Sequence, residues 1–207
     1  GDSIRFNAPV RAVDQSEDGV KIHCDGEVFE ARQVIIAIPP TLTNKIEFTP
    51  ALPVRRQQLV QRTPMGSVIK AMARFDKPFW REKGLNGQMA SDLGPVRVMF
   101  DNSPPDGRWG VLVGFYEGSD AREYSELSIE QRKQGFLESA ARAFGSEALN
   151  ANDYIDQDWS AERWSGGCYG TLFGPGIWTE FGPALSKSVG KIHWAGADIA
   201  GEWNGYI

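Results

Sequence analysis

An uninterrupted apolar run, Val34-Ile-Ile-Ala-Ile38, is followed at once by Pro39-Pro40 and constrains the fold more than any other segment. A continuous run of this length is typical of a strand that is covered on both faces, because a half-exposed strand alternates polar and apolar residues. The double proline ends the strand, since neither residue can donate a backbone hydrogen bond. We therefore expect a fully buried strand over residues 34–38.

The segments before this run also predict β-structure. Residues 10–14 roughly alternate in polarity, residues 20–24 alternate again, and residues 27–31 follow after Asp25-Gly26, a pair that favours a tight hairpin turn. The sequence thus predicts a β-rich start over residues 4–37.

Further along the chain, helices and strands are mixed. We expect a short helix at 54–62, strands at 67–75, 96–100, 111–115 and 192–195, a connection at 78–80, and little regular structure over 160–182. The clearest helix runs from Ser128 to Phe144, because Ser128 and Gln131 form a capping-box pattern and Gly145 supplies a stop. The fold class is mixed α and β.

The composition of the chain limits the classes of partner and of binding site that we expect. The 207 residues suit one large or two modest domains, and a formal net charge of −5 without a basic stripe disfavours nucleic acid. No apolar run is long enough for a membrane helix, and no secretion signal is seen, so a cytoplasmic location is the default expectation. Two cysteines and two histidines make neither a disulfide framework nor a structural metal site.

A glycine-rich stretch, Ser165-Gly-Gly-Cys-Tyr169, places one cysteine beside a tyrosine, and a second tyrosine, Tyr206, lies near the end of the chain. Two glycines let a flat group approach the cysteine closely, because glycine has no Cβ. Two separated tyrosines could form walls around an apolar or cationic group. Ordinary burial in a core would better explain either tyrosine or the cysteine taken alone.

Six segments together resemble the flavin-dependent monoamine oxidases, in the order and approximate spacing of that family. They are Val34-Ile-Ile-Ala-Ile-Pro-Pro40, Phe48-Thr-Pro-Ala-Leu-Pro53, Met65-Gly-Ser-Val-Ile-Lys70, Pro78-Phe-Trp80, Ser165-Gly-Gly-Cys-Tyr169, and Ala195-Gly196 leading into Trp203-Asn-Gly-Tyr206.

The resemblance implies a two-domain fold in which an FAD domain is interleaved with a mixed-sheet substrate domain. Residues 1–59 and 162–207 would belong to the FAD domain and residues 60–161 to the substrate domain. The family's N-terminal Rossmann strand and glycine fingerprint are not found in the sequence, nor is the helix expected after Tyr206. The chain therefore resembles a fragment.

The resemblance also implies catalytic and tethering residues. Cys168 matches the position at which the covalent subgroup attaches FAD through a thioether, and Tyr169 and Tyr206 match the two tyrosines that cage the amine. Lys70 matches a lysine near flavin N5. From the pattern alone, Lys70 is better explained by a side chain that extends to solvent.

Other cofactor contacts are implied by the same resemblance. They are Trp159 against the isoalloxazine, Val10 near adenine and ribose, and Gly196, Asp198 and Trp203 around the terminal loop. The family usually has Thr-Glu where this chain has Ala197-Asp198. A shorter acid and a lost hydroxyl change the contacts available there.

The implied activity is the FAD-dependent oxidation of a primary amine by molecular oxygen, giving aldehyde, ammonia and hydrogen peroxide, by an enzyme that could form a homodimer. Mostly small or apolar residues at 87–99 favour monoamines, with Asp92 the local candidate for a second ammonium. One alternative is a related oxidase of polyamines or amino acids, for which Arg97 could clamp a carboxylate. Another is a non-catalytic fragment that binds no FAD by itself.

Overall fold

The computed structural model describes residues 3–203, and these divide into two compact units. The two-segment unit joins the residues up to Met65 with those from Tyr169 onward, and the central unit is Gly66–Cys168. Tyr206 lies outside the described residues.

The described residues form eleven strands and six α-helices, besides short 3₁₀ turns. The strands are β1 (Val10–Gln15), β2 (Val20–Cys24), β3 (Glu27–Ala31), β4 (Val34–Ile36), β5 (Glu47–Thr49), β6 (Val68–Phe75), β7 (Met89–Ala90), β8 (Val96–Asp101), β9 (Gly110–Glu117), β10 (Asp153–Asp158) and β11 (Ile192–Trp194). The helices are α1 (Val54–Gln61), α2 (Phe79–Glu82), α3 (Gly118–Ser125), α4 (Ile129–Phe144), α5 (Ile177–Phe181) and α6 (Pro183–Ser186).

The two-segment unit contains a four-stranded sheet in the order β3-β2-β1-β5. Strands β1, β2 and β3 form an antiparallel meander, with Val13 opposite Ile22 and Cys24 opposite Glu27 across the predicted Asp25-Gly26 turn. Gly26 has a φ of 85°, a conformation that glycine adopts without steric cost. The sequence prediction of β-structure over this segment is confirmed.

The prediction of a fully buried strand over residues 34–38 is wrong. Strand β4 ends at Ile36 and pairs in parallel with β11, forming a two-stranded sheet among the described residues. Ile36 packs with Val13 and Trp194 in one core, whereas Ile35 points the other way and is 68% exposed. The alternation of side chains across a strand decides this outcome, because only one face of the pair meets a core.

The central unit is built on a five-stranded antiparallel sheet in the order β10-β6-β9-β8-β7. Helix α4 packs Phe136, Leu137 and Ala140 into the buried core of this unit. Ser128 caps the helix through the predicted capping box with Gln131, and Gly145 ends it at a φ of 105°. The predicted helix is thereby confirmed at both ends.

Two further stretches differ from the sequence predictions. The expected connection at 78–80 contains the start of α2, whose Phe79 and Trp80 are buried in the core of the central unit. The stretch 160–182, expected to lack regular structure, contains α5. No helix within residues 3–203 combines the length and the apolar character that crossing a membrane requires.

Candidate functional site

In the central unit, three of the predicted site residues gather around the start of β6. The backbone N–H of Cys168 donates to the carbonyl oxygen of Gly66 at 2.9 Å, and that of Trp159 donates to the carbonyl oxygen of Val68 at 3.2 Å. Lys70 lies two residues further along the same strand. Backbone pairing therefore brings together residues that lie almost a hundred positions apart in the sequence.

The turn before Cys168 depends on glycine. Gly166 has a φ of 64° and Gly167 a φ of 134°, both in the region that side chains with a Cβ disfavour. Gly167 is also buried. The Gly-Gly pair thus sets the direction in which the chain delivers Cys168, in addition to leaving space beside it.

Lys70 is half-buried on β6, an interior strand of the sheet. Its strand neighbours are Phe115 on β9 and Gln157 on β10, so neither neighbour carries a charge. Among residues 3–203, no carboxylate forms an ion pair with Lys70. A cationic group held in this way is available to a ligand.

The local electrostatics disfavour the thiolate of Cys168. Burial raises the pKa of this thiol to about 11, and the carboxylates of Glu117 and Asp158 add to the effect. Both acids end strands that flank β6. Because the thiolate is the reactive form of cysteine, these surroundings lower the reactivity of Cys168 at neutral pH.

In the two-segment unit, Asp198 holds the loop that follows Tyr169. Its Oδ1 accepts a hydrogen bond from the backbone N–H of Thr171 at 2.6 Å. A Cβ on Gly170 would lie 3.0 Å from the same oxygen, so the loop approaches the carboxylate as closely as glycine permits. One oxygen of the acid predicted to contact the cofactor is therefore engaged within the protein.

The predicted contacts Gly196 and Val10 lie near one apolar cluster of the same unit. Gly196 directly follows β11 and has a φ of 116°, and a Cβ added there would meet nothing closer than 3.9 Å. Val10 and Ile199 both pack against the cluster that contains Val13 and Trp194. Close backbone approach by a ligand at Gly196 is sterically open.

Two aromatic side chains of this unit present large areas to solvent. Tyr169 is 67% exposed and Trp203 is 80% exposed. A planar apolar ligand would gain by covering such rings. Tyr206, the predicted second wall of the cage, lies outside the described residues, so the pair of tyrosines stays a prediction.

Comparison with known proteins decides the family. A family model described as flavin containing amine oxidoreductase matches residues 1–207, the whole chain. The chain belongs to this family. The resemblance found in the sequence is confirmed, and so is the mixed α/β class of flavin amine oxidases.

Individual relatives support the same family membership. A probable flavin-containing monoamine oxidase A of Dictyostelium discoideum is 40% identical over 203 residues, covering 98% of this chain and 44% of the relative. An L-amino acid dehydrogenase of Synechocystis sp. (strain ATCC 27184 / PCC 6803 / Kazusa) is 39% identical over 207 residues, covering 100% and 44%.

A solved structure of wild-type putrescine oxidase bound to putrescine superposes with a TM-score of 0.94 at 38% identity, covering 100% of this chain and 46% of that one. The chain thus spans less than half the length of these relatives.

The described residues fit a flavin, each unit being taken by itself. The central unit offers the left-handed Gly166-Gly167 turn beside Cys168 and the unpaired ammonium of Lys70. The two-segment unit offers the open backbone at Gly196 and exposed aromatic rings. A flat, partly anionic ring system and a nucleotide find complementary chemistry in these groups.

Sequence reasoning missed several contacts of these residues. Glu117 and Asp158 bear on Cys168, and Thr171 binds Asp198, but none of the three stands in a motif. Arg97, offered for a carboxylate substrate, donates through Nε to Asp120 at 2.8 Å. Asp92, offered for a second ammonium, is exposed. Within residues 3–203, no group of three or more His, Cys, Asp or Glu is placed to hold a metal ion.

Proposed function

We propose that the protein of which this chain forms part oxidises primary monoamines, with FAD as cofactor and molecular oxygen as acceptor, yielding aldehyde, ammonia and hydrogen peroxide. The observation that carries the proposal is the Gly-Gly-Cys turn hydrogen-bonded to the start of β6, with the unpaired, half-buried Lys70 two residues beyond the Trp159 contact. Family membership supports the same reaction class.

In this proposal, Cys168 tethers the flavin and Trp159 lies against the ring. Val10, Gly196, Asp198 and Trp203 contact the nucleotide portion and the terminal loop. FAD, when bound, supplies the redox chemistry by accepting a hydride equivalent from the carbon beside the amine.

The protein positions the substrate and excludes water. Tyr169 and Tyr206 orient the neutral amine between their rings, since aromatic faces attract an amine and exclude solvent. Lys70 places a positive charge where negative charge develops and holds a water by donating a hydrogen bond from its ammonium. Because the amine is neutral and lies between these rings, the proposal requires no carboxylate to bind it.

Amines without a carboxylate are favoured over amino acids. The L-amino acid dehydrogenase relative keeps that alternative open, but Arg97 Nε already donates to Asp120, an acid of this chain. The putrescine-bound relative keeps diamines open in the same way, although the exposure of Asp92 gives no buried carboxylate for a far ammonium. A cytoplasmic location stays the default expectation, and the enzyme could form a homodimer.

Acid precipitation tests the tether. The flavoenzyme should keep its yellow colour in the protein pellet, whereas Cys168→Ala should release the flavin to the supernatant. Cys24→Ala is the matched control, because Cys24 is the other free thiol and lies on β2. Release of flavin from the unsubstituted enzyme would refute the covalent link but leave a non-covalent amine oxidase.

Rapid kinetics test the role of Lys70. Lys70→Met should slow reoxidation of the flavin by oxygen about 100-fold or more, since removing a preorganised charge typically costs that much. Lys77→Met is the control, because Lys77 is exposed and binds Glu82.

A substrate panel tests the monoamine proposal. Turnover of benzylamine and tyramine but not leucine or putrescine is expected, and preferential turnover of leucine would contradict the monoamine proposal.

A further inference from the structure

A cleft of about 420 Å³ lies in the two-segment unit, and none of the proposed flavin contacts is among its lining residues. One wall is the start of α1 and the other is α6 with the chain that follows it. The lining residues are Pro53, Arg55, Arg56, Pro183, Ala184, Lys187, Ser188, Val189 and Gly190.

The lining carries positive charge without compensation. Arg55, Arg56 and Lys187 all contribute, and none of the lining residues is an Asp or Glu. Among residues 3–203, none of these three cations forms an ion pair with a carboxylate. Ser188 adds a hydroxyl group, which also bonds His193 Nδ1 at 2.9 Å.

Arg56 is the central observation. The residue is only 2% exposed, yet within residues 3–203 no carboxylate forms an ion pair with it. Its Nη1 donates to the carbonyl oxygens of Ala184 at 2.9 Å and Leu185 at 2.5 Å, so the guanidinium crosses from one wall of the cleft to the other. Its Nε is buried and has no hydrogen-bond partner among the described residues.

A buried cation in this state is costly, because burial removes its hydration without supplying a counter-charge. The ring of Trp194, 3.7 Å from Cζ, compensates only in part. Burial accordingly lowers the pKa of Arg56 to about 10. An anion bound in the cleft would favour the charged form of Arg56 and balance the positive charge of its guanidinium.

The N-terminus of α1 adds a second attraction for an anion. Pro53 stands at the N-cap, where it supplies no side-chain hydrogen bond, and the first turn of α1 contains no acidic residue. The positive end of the helix dipole is therefore uncompensated at a residue that lines the cleft.

We propose that this cleft binds a small oxyanion, a phosphate or carboxylate group, held by Arg55, Arg56 and Lys187 at the N-terminus of α1. The site is independent of the proposed amine oxidation. Guanidinium groups and helix N-termini share a preference for this chemistry.

Calorimetry at constant ionic strength tests the site in the full-length protein. Titration with inorganic phosphate should show saturable binding to one site, and a separate titration with succinate decides whether phosphate or carboxylate is preferred. Lys187→Gln and Arg55→Gln should each weaken binding about tenfold, since each removes a charge-assisted hydrogen bond. Lys21→Gln is the matched control, because Lys21 is an exposed lysine on β2.

Arg56→Lys provides a variant that keeps the charge but loses the planar fork. It should weaken binding as well, and its thermal unfolding shows whether the fold is retained. Saturable binding that Lys21→Gln leaves unchanged supports the site. Absence of saturable binding of either anion overturns the proposal, and so does equal weakening by Lys21→Gln, which would indicate non-specific surface charge.

Discussion

At the scale of single residues, Cys168 combines a position suited to a tether with a thiol that its surroundings hold protonated. Burial and the neighbouring Glu117 and Asp158 disfavour the thiolate, so the proposed tether cannot rely on an intrinsically reactive cysteine. We infer that this thiol is selective: it stays inert toward solutes at neutral pH.

Alkylation of the flavin-free protein by iodoacetamide checks this inference. In a Cys24→Ser background, the rate at Cys168 should still be rising at pH 10, because the pKa of the thiol is raised to about 11. Glu117→Gln should shift the profile to lower pH by removing a negative charge. The matched control is Glu82→Gln, a change at an acid bound to Lys77. A rate that levels off below pH 9 would contradict the expected shift.

The sequence indicates the residues that stand in compact motifs. Gly166, Gly167 and Cys168 are found in this way because their spacing is local and the backbone requires glycine there. The sequence resemblance points to Asp198 but not to its hydrogen bond with Thr171, since contacts distant in sequence leave no periodic signal. Arg56 was missed for the same reason, because an arginine near the start of a short helix resembles a surface residue.

At the scale of elements, Asp101 joins α2 to the end of β8. Its Oδ2 accepts from Trp80 Nε1 at 2.9 Å and Arg81 Nε at 2.8 Å, and its Oδ1 accepts from the N–H of Ser103. Burial alone would raise the pKa of Asp101, but the hydrogen bonds from Ser103, Trp80 and Arg81 outweigh it and lower the pKa. The ionised form is therefore the stabilising one.

Asp101→Asn should lower the free energy of unfolding by about 1.5–3 kcal/mol at pH 7, the usual worth of hydrogen bonds to a charged group. Because the folded-state pKa is depressed, this contribution is complete above the ordinary pKa of about 4 and is lost as the pH falls through the folded value. Urea titrations from pH 7 to pH 3 should show the difference between the two proteins shrinking.

Asp106→Asn serves as the matched control for that series, because Asp106 is an exposed aspartate in the adjoining turn. A difference at Asp101 that stays constant down to pH 3 would show that ionisation is not the source of the stabilisation.

Elements were predictable where local signals agree. The capping box of α4 and the Asp25-Gly26 hairpin combine propensity with pattern. Strand β10 was not predicted, because its sequence is largely polar and its place is fixed by pairing with β6. Helix α2 was missed since it is a single turn, which packing in the core stabilises rather than propensity.

At the scale of the whole molecule, the central unit is one continuous stretch of chain with its own sheet and its own core. All five of its strands pair within it, and α4 covers one face. A segment that satisfies its backbone and buries its apolar residues internally meets the conditions for folding by itself.

Residues 66–168 expressed alone should therefore unfold cooperatively in urea. Phe136→Ala should lower the stability of this segment by about 3–5 kcal/mol, as is usual for a buried phenylalanine. Phe100→Ala should cost far less, because Phe100 is 41% exposed on the same sheet. A broad, non-cooperative transition of the unsubstituted segment would contradict independent folding.

The assignment of chain segments to an FAD domain and a substrate domain stays a prediction. The sequence resemblance assigned residues 60–161 to a substrate domain, and the compact central unit begins at Gly66 and ends at Cys168. Sequence patterns place such limits only approximately, because a boundary is defined by which contacts each segment makes and not by its own composition.

The hydrogen bond between Asp198 and Thr171 also bears on how the chain tolerates change. The stretch from 171 to 198 leaves one point and returns to it, and Phe181 and Leu185 within it pack against Leu59. The turn Gly174-Pro175-Gly176 near its start is exposed. Because both ends of the stretch are fixed, extra residues in that turn cost only loop entropy, which grows slowly with length. This turn is therefore a natural place to insert a peptide tag or a reporter domain.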